Sequence, residues 1–201
     1  MRDLIARRLK AAACTAGTDA RQPRDRGGAA SPDREGRPAT PAAVLIPLVD
    51  RASGLTVILT RRASHLADHP GQISFPGGRV EPGDRDVEAT ALREAEEEIG
   101  LAADRVDVLG RLATFLTSTG FSITPVVGVT RPPLALEPDA VEVAEVFEVP
   151  VAFILDPANH RREVRVVCGV ERRFDAFTYK DRDIWGATAR MLINLYELLR
   201  D

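Results

Sequence analysis

Three glutamates on one face of a predicted helix constrain this chain more than any other feature. Within residues 93–100, which read REAEEEIG, Glu94, Glu97 and Glu98 stand at positions i, i+3 and i+4. Side chains at these offsets lie together on a helix, where like charges repel unless a cation neutralises them. Three hard oxygen ligands on a rigid face suit Mg²⁺ or Mn²⁺. The alternative is a solvated acidic helix face, the ordinary meaning of a charge run.

A glycine-rich segment precedes this helix. Residues 75–78 read Phe-Pro-Gly-Gly and predict a tight turn after a short strand, where the backbone can approach a ligand closely. Arg93 can hold a neighbouring carboxylate through bidentate hydrogen bonds. The combination favours a metal and phosphate site over a solvated surface.

Composition limits the partners and the compartment. The chain has 201 residues and a net charge of −3, which indicates one main domain and no nucleic-acid partner. No apolar run approaches the roughly 20 residues that cross a bilayer. Cys14 and Cys168 form neither a disulfide framework nor a zinc site, so we expect a cytoplasmic protein. Its partner is expected to be a small anionic molecule, and the sequence allows a homodimer without requiring one.

The chain divides into two regions. Residues 1–41 are expected to hold a short helix over residues 1–10 and then a disordered linker or long surface loop, because residues 14–41 contain almost no large apolar side chains. Residues 42–201 are expected to form the folded domain. The basic N-terminal stretch lacks the apolar core of a secretory signal.

The hydrophobic pattern of residues 42–201 predicts an α/β domain with mixed sheets. Strands are predicted over residues 43–49, 55–60, 73–75, 106–109, 111–116, 121–129, 143–150, 163–170 and 173–179. Helices are predicted over residues 86–99, 151–155 and 183–199. Gly100 suits a helix C-cap. The sheet-facing side of the first of these helices is expected to carry Ala89, Leu92, Ala95 and Ile99.

Residues 78–101 resemble the Nudix box, Gly-x5-Glu-x7-Arg-Glu-apolar-x-Glu-Glu-x-Gly-apolar. Gly78 opens the pattern, and every defined position from Arg93 onward matches, with Ala95 as the apolar residue. Two departures occur: Asp84 occupies the first acidic position, and eight residues separate it from Arg93 instead of seven. The resemblance implies a Nudix-like α/β/α sandwich with a mixed sheet and a metal-dependent pyrophosphohydrolase.

Residues 59–78 resemble the additional signature of the coenzyme A pyrophosphatase branch, Leu-Leu-Thr-x-Arg-Ser/Ala-x3-Arg-x3-Gly-x3-Phe-Pro-Gly-Gly. Ile58 replaces its first leucine and Ala67 its internal arginine, and the rest is in register. Further similarity follows in residues 121–128 and 184–189. This likeness implies hydrolysis of coenzyme A, or of its acyl or oxidised forms, to 3′,5′-ADP and 4′-phosphopantetheine.

The same likeness implies roles for individual residues. Glu94, Glu97 and Glu98 would bind Mg²⁺ or Mn²⁺, and Glu97 and Glu98 would act with Arg93 in catalysis. Substrate recognition would fall to Arg62, Ser64, His65, His69, Gln72, Gly77 and Gly78. Asp84 and Glu142 are possible additional acids. The general base is either a glutamate of the box or Glu142, and each histidine can equally be a surface residue.

Two other functions stay open from the sequence alone. Ala67 leaves room for a Nudix hydrolase of ADP-ribose, NADH or a nucleoside triphosphate. The second is a domain that senses a nucleotide without hydrolysing it, against which the intact glutamates argue. Trp185 is expected to pack within the last helix rather than stack on adenine, and Cys168 is expected to pack in a strand.

Overall fold

The computed structural model describes residues 1–15, 39–117, 119–167 and 169–200. The helices are α1 (Arg2–Thr15), α2 (Val87–Ile99), α3 (Val151–Leu155) and α4 (Gly186–Leu199). The strands are β1 (Thr40–Arg51), β2 (Gly54–Arg62), β3 (Ile73–Ser74), β4 (Gly77–Arg79), β5 (Asp107–Arg111), β6 (Phe115–Leu116), β7 (Phe121–Thr130), β8 (Val143–Pro150), β9 (Arg161–Val167), β10 (Val170–Tyr179) and β11 (Arg182–Trp185). Within these ranges, no helix is both long and apolar enough to cross a lipid bilayer.

The main sheet contains both parallel and antiparallel strands. Its central order is β3-β2-β1-β7-β5, and β4, β6 and β8 pair with β1, β7 and β2 respectively. β1 and β7 run parallel from Thr40↔Phe121 to Val49↔Thr130, whereas the other pairs are antiparallel. The prediction of a mixed sheet is therefore confirmed.

Helices cover both faces of this sheet. On one face, α2 packs against a core of Ala43, Leu45, Ile58, Ala91, Ala95, Ile99 and Val126. On the other face, α1, α3, α4 and a second, three-stranded sheet of order β11-β10-β9 share a larger core. β1 is buried along both faces, which explains its nearly continuous apolar sequence. This arrangement confirms the α/β/α sandwich.

The N-terminal helix packs into the same core as the rest of the molecule. It runs from Arg2 to Thr15, five residues beyond the helix predicted over residues 1–10. Ile5 and Leu9 are fully buried, and a Cβ at Gly110 would lie 3.0 Å from the Leu9 Cβ. β1 already begins at Thr40, inside the predicted linker. The prediction for residues 16–38 lies outside the described residues.

The predicted last helix is wrong at its beginning. Arg182–Trp185 is strand β11, which pairs with β10, and the helix starts at Gly186. Gly186 has a φ of +67°, a conformation that suits the change of direction between strand and helix. Trp185 therefore lies at a strand end, with its ring 5.3 Å from that of Phe174 and under the Arg165 guanidinium at 4.5 Å.

Other boundaries also differ from the predictions. The strand predicted over residues 163–170 runs from Arg161 to Val167, and β10 already begins at Val170, three residues before the predicted start. The strand predicted over residues 111–116 is interrupted, since β5 ends at Arg111 and β6 begins at Phe115. The predicted glycine turn is instead the short strand β4, paired antiparallel with β1. Cys168, predicted to lie in a strand, is outside the described residues.

Candidate functional site

Both ends of α2 are capped by residues of the sequence pattern. The Asp86 carboxylate accepts a hydrogen bond from the Ala89 N–H at 2.9 Å, an N-cap that satisfies one of the free donors of the first turn. Gly100 has a φ of +67° and its N–H donates to the Glu96 carbonyl at 3.0 Å. The predicted helix and its Gly100 C-cap are confirmed.

The buried face of α2 is rotated from the predicted one. Thr90, Ala91, Ala95, Glu98 and Ile99 are buried, whereas Ala89 is only half-buried and faces the flank of the helix. The expectation that Ala89 packs on the sheet is therefore wrong. The rotation follows from the small side chains at positions 91 and 95, which let the helix approach β1 closely. As a result, Glu98, one of the three predicted metal ligands, is buried.

The two glycines of β4 bring its backbone against the glutamates. A Cβ at Gly78 would overlap the carboxylate of Glu94. The Gly77 N–H donates a hydrogen bond to Glu98, and a Cβ at Gly77 would overlap the backbone of β1 at Ala43 and Val44. Only glycine allows this close packing of strand, helix and sheet.

Glu94, Glu98 and Glu142 form a cluster of interacting acids. The side chain of Glu98 is 7% exposed, and its burial, together with the negative charges of Glu142 and Glu94, raises its pKa to about 8. The charge of Arg62 acts in the opposite direction on Glu98. Burial also raises the pKa of Glu94. Desolvation and like charge both favour the protonated form of a carboxyl group, so this cluster favours a cation.

Glu142 reaches the cluster through a turn before β8 that is hydrogen-bonded to the last turn of α2. The Asp139 N–H donates to the Glu98 carbonyl at 2.9 Å, and the Glu142 N–H donates to the Asp139 carbonyl at 3.1 Å. On the other side, the Ala63 N–H donates to the Glu142 carbonyl at 2.8 Å. The backbone at Glu142 is thus fixed between the helix and the loop after β2.

Asp84 is bound to Arg93 and does not stand free as an acid. Arg93 donates from Nε and Nη2 to the two Asp84 oxygens at 3.0 and 3.1 Å. The Thr90 hydroxyl and the Glu81 N–H donate to the same carboxylate at 2.8 and 2.9 Å. The hydrogen bonds from Arg93 contribute most to lowering the pKa of Asp84. The arrangement indicates that Asp84 anchors the loop before α2.

Arg93 connects this anchor to two of the box glutamates. Its Nη1 lies 3.0 Å from a Glu94 oxygen and 2.9 Å from a Glu97 oxygen, and its Nη2 also donates to the Arg79 carbonyl at 3.2 Å. The Asp84 hydrogen bonds, which contribute most, raise the pKa of Arg93. Arg93 thus links Asp84 to Glu94 and Glu97, and its catalytic role stays a prediction.

The recognition residues predicted in the loop after β2 divide into two groups. Arg62 was predicted in the loop but is the last residue of β2, where it pairs with β8. It lies close enough for its charge to act on Glu98, and its N–H donates to the Gln72 carbonyl at 2.9 Å. Ser64, His65 and His69 are exposed. Within the described ranges, none of these three hydrogen-bonds the acidic cluster.

Two residues of the site were not anticipated. Thr90 is fully buried and supports the Asp84 carboxylate. Asp139 orders the turn before Glu142, where its carboxylate accepts from the Val141 N–H at 2.9 Å. Aspartate followed two residues later by an N–H that it can accept is a local turn pattern, so Asp139 had a detectable signal. Thr90 had none, because its role depends on the rotation of α2.

The donor set is chemically suited to a hard divalent cation. Glu94 and Glu98 are mostly shielded from water, and Arg93 and Arg62 are the cations described near them. The described residues contain no group of three Asp, Glu, His or Cys side chains already gathered around one point. The Glu97 side chain is 58% exposed and bonded to Arg93.

A separate cavity of about 380 Å³ lies on the outer flank of α2. It is lined by Arg85, Ala89, Leu92, Arg93, Glu96, Glu97 and Ala103. It shares Arg93 and Glu97 with the site but lacks Glu94, Glu98 and Glu142. We therefore place the site at the buried acids under β4 and not in this cavity.

Comparison with known sequences gives consistent matches over the same region. The family model described as NUDIX domain matches residues 39–173. A Photorhabdus laumondii protein described as an uncharacterized Nudix hydrolase NudL is 40% identical over 154 residues, which is 77% of this chain and 82% of that protein. A Yersinia pestis protein of the same description is 40% identical over 77% of each chain.

Comparison with solved structures shows the same fold at low sequence identity. A MutT/nudix family protein from Enterococcus faecalis superposes with a TM-score of 0.52 at 16% identity, over 83% of this chain and 64% of that one. A protein from Deinococcus radiodurans gives a TM-score of 0.52 at 15% identity, over 83% and 90% of the two chains. These likenesses concern the fold alone.

Proposed function

Because this chain belongs to the Nudix hydrolase family and is an enzyme of that pyrophosphohydrolase class, we propose that it hydrolyses coenzyme A or its acyl or oxidised forms. The products would be 3′,5′-ADP and 4′-phosphopantetheine. The proposal includes a cytoplasmic location, in keeping with the two widely separated cysteines.

One observation carries the choice of substrate. The loop after β2, which resembles the coenzyme A branch in sequence, leads directly into the acidic cluster. Arg62, the last residue of β2, lies near Glu98, and the N–H of Ala63 at the start of the loop donates to the Glu142 carbonyl. A basic side chain beside a cluster of acids suits an anionic substrate held next to a bound cation.

Glu94, Glu97 and Glu98 are the residues that would hold Mg²⁺ or Mn²⁺. The fit rests on their chemistry, since carboxylate oxygens are the ligands these ions prefer, and on two mostly buried acids that lack enough positive charge nearby. When bound, such an ion neutralises a diphosphate and lowers the pKa of a bound water. Glu97 would exchange its hydrogen bond with Arg93 for this role.

The remaining residues position the reacting groups. Asp84 holds Arg93, and Arg93 holds the carboxylates of Glu94 and Glu97. The missing side chain at Gly78 leaves room for the Glu94 carboxylate against β4. A glutamate of the box or the neighbouring Glu142 is proposed to accept a proton from the attacking water.

Substrate recognition is proposed for the loop and β4 residues of the coenzyme A signature. Arg62, Ser64, His65, His69 and Gln72 would contact the adenosine phosphates, and Gly77 and Gly78 would line the diphosphate position. Ala67, an exposed residue where the branch pattern has arginine, removes one charged contact. This substitution favours a second candidate, hydrolysis of ADP-ribose, NADH or a nucleoside triphosphate.

A substrate panel tests the choice between these candidates. The full chain is incubated with Mg²⁺ and equal concentrations of coenzyme A, acetyl-coenzyme A, coenzyme A disulfide, ADP-ribose, NADH and ATP, and the products are identified by mass spectrometry. We expect 3′,5′-ADP and 4′-phosphopantetheine, or its modified form, to accumulate fastest. Faster cleavage of ADP-ribose, NADH or ATP than of every coenzyme A form would overturn the proposal.

A matched pair of glutamate variants tests the metal assignment. Glu97→Gln is expected to lower kcat by about 100-fold or more, because it removes an ion ligand, with little change in thermal unfolding of so exposed a side chain. Glu96→Gln makes the same change at the preceding exposed glutamate and should keep most of the activity. Full activity of Glu97→Gln would remove this residue from the proposed metal site.

A further inference from the structure

The second sheet has an open edge that carries exposed apolar side chains. Its order is β11-β10-β9, and β9 pairs with β10 alone among the described strands. Val164 and Val166 on β9 are 58% and 68% exposed, and they are two of the four large apolar residues so exposed in the described ranges. An open edge of this kind presents unpaired backbone groups to which another strand can bind.

The pairing of β9 with β10 determines which backbone groups face outward. Two residues join the strands between Val167 and Val170, so this flanking pair exchanges both of its hydrogen bonds. Counting back along β9 from Val167, every second residue then forms backbone hydrogen bonds with β10. The N–H and C=O groups of Arg162, Val164 and Val166 lie between these positions and face the open edge.

We propose that β9 binds β9 of a second copy of this chain, antiparallel and about a two-fold axis through Val164. In this register Val164 lies opposite Val164 of the second copy, and Arg162 lies opposite Val166. All outward-facing backbone groups of these residues gain partners, about six hydrogen bonds in total. The two three-stranded sheets become one continuous sheet, and the contact closes as a symmetric dimer.

Charge complementarity selects this register. Glu163 lies opposite Arg165 of the second copy, and Arg165 lies opposite Glu163, so two ion pairs form across the axis. Moving the strands to the next hydrogen-bonded register in one direction would place Glu163 opposite Glu163, and in the other direction Arg165 opposite Arg165. Like charges directly opposite each other destabilise a strand pair.

The structure already orients these two side chains. Arg165 bonds Glu163 of its own strand at 2.6 Å and Asp183 of β11 at 2.5 Å. Stacking on Trp185 also holds its guanidinium. Glu163 and Arg165 are therefore already ordered within each copy. Forming the ion pairs across the axis would cost little further side-chain entropy. Val164 and Val166 lie on the opposite face, where the two copies join their apolar side chains in one patch.

Sedimentation equilibrium of the full chain tests the dimer, independently of any substrate. Over about 1–200 µM protein, we expect the mass to rise from 21.8 kDa toward twice that value, since association follows mass action. Val164→Lys places two like charges at the axis and should stay monomeric at every concentration, with an unchanged circular dichroism spectrum. Val141→Lys, at a 63% exposed valine outside this sheet, should dimerise like the original chain.

Disulfide cross-linking tests the register. Val164→Cys is made in a chain that also carries Cys14→Ser and Cys168→Ser. A hydrogen-bonded antiparallel pair holds its Cα atoms about 5.5 Å apart, within reach of a disulfide. We expect oxidation to give a covalent dimer, with Val141→Cys as the unlinked control. A monomer at all concentrations, or a dimer that Val164→Cys does not link, would overturn the proposal.

Discussion

At the scale of single residues, the two adjacent glycines of β4 allow close contact with two different parts of the molecule. Gly78 makes room for a side chain, the Glu94 carboxylate, whereas Gly77 makes room for the backbone of β1. A carboxylate can move away from an added methyl group by rotation, but a paired strand cannot. A substitution at Gly78 should therefore change mainly the activity, and a substitution at Gly77 mainly the stability.

Alanine at each position should show this difference. Gly78→Ala is expected to displace Glu94 and lower kcat by about tenfold or more, with little change in thermal stability. Gly77→Ala is expected to lower the free energy of unfolding by roughly 1–3 kcal/mol, because the methyl group meets backbone. Thermal melts and steady-state kinetics measure both.

Gly83→Ala is the control for this pair, since nothing lies within 4 Å of its added Cβ. It should leave both stability and activity unchanged. Unchanged kcat in Gly78→Ala would mean that the position of Glu94 matters less than its contact with β4 suggests.

At the scale of elements, α1 is part of the domain core although an undescribed segment separates it from β1. Its Leu9 packs against Gly110 of β5, where any larger residue would force the helix outward. Arg2 adds an ion pair to Asp107 at the start of β5, at 2.9 Å. That pair is exposed at both side chains and contributes little, so the apolar contacts hold the helix in place.

Truncation of Leu9 should therefore destabilise the whole domain. Leu9→Ala is expected to lower the free energy of unfolding by about 2–5 kcal/mol, the usual cost of emptying a buried leucine site. Lys10→Ala, at the next and exposed residue, should change it by less than about 0.5 kcal/mol. Urea unfolding followed by circular dichroism measures both, and equal midpoints for the two variants would contradict the docking of α1.

The element α2 also explains a departure from the box pattern. The Asp84 carboxylate accepts hydrogen bonds from Nε and Nη2 of Arg93 and from the Thr90 hydroxyl. The residues between Asp84 and Arg93 form the end of the loop and the beginning of α2, where Asp86 is the N-cap. The extra residue is accommodated within this stretch. The substitution therefore leaves the three box glutamates in place.

At the scale of the whole molecule, the buried acids make stability depend on pH. Glu98 has a pKa of about 8 in the folded chain and an ordinary value near 4.3 when unfolded. Between these values the folded chain binds more protons, so its stability is lost as pH rises through this range. Arginine partners lower the pKa values of Asp84, Glu145 and Glu148. These three carboxyl groups therefore change the stability of the chain only at more acidic pH.

Unfolding in the presence of EDTA should reveal this dependence. We expect the original chain to be less stable at pH 8 than at pH 5 by roughly 2–4 kcal/mol. Glu98→Gln cannot ionise and should lose most of this difference. Added Mg²⁺ should restore stability at pH 8 in the original chain more than in the variant. Parallel pH profiles for the two proteins would show that Glu98 does not carry the effect.

Much of the architecture follows from local patterns. The Gly100 C-cap of α2, the strand over residues 43–49 and the boundaries of α3 depend on residues close together in sequence, and these predictions are confirmed. Trp185 shows where local reading fails. The spacing of Ile184, Ala189 and Leu192 fits a helix, yet pairing with β10 makes a strand of the first residues. A strand partner is not visible in local periodicity.

The residue pattern alone predicts the chemistry of the site: three glutamates at helical spacing, an arginine beside them and glycines before them. Which of the acids lie close together depends on the folded chain. Glu98 is buried under β4, Glu97 turns outward to Arg93, and Glu142 joins them from 44 positions beyond Glu98 (142 − 98) through the Asp139 turn. Burial and long-range proximity decide a carboxyl group's pKa, and neither depends on the order of residues along the chain.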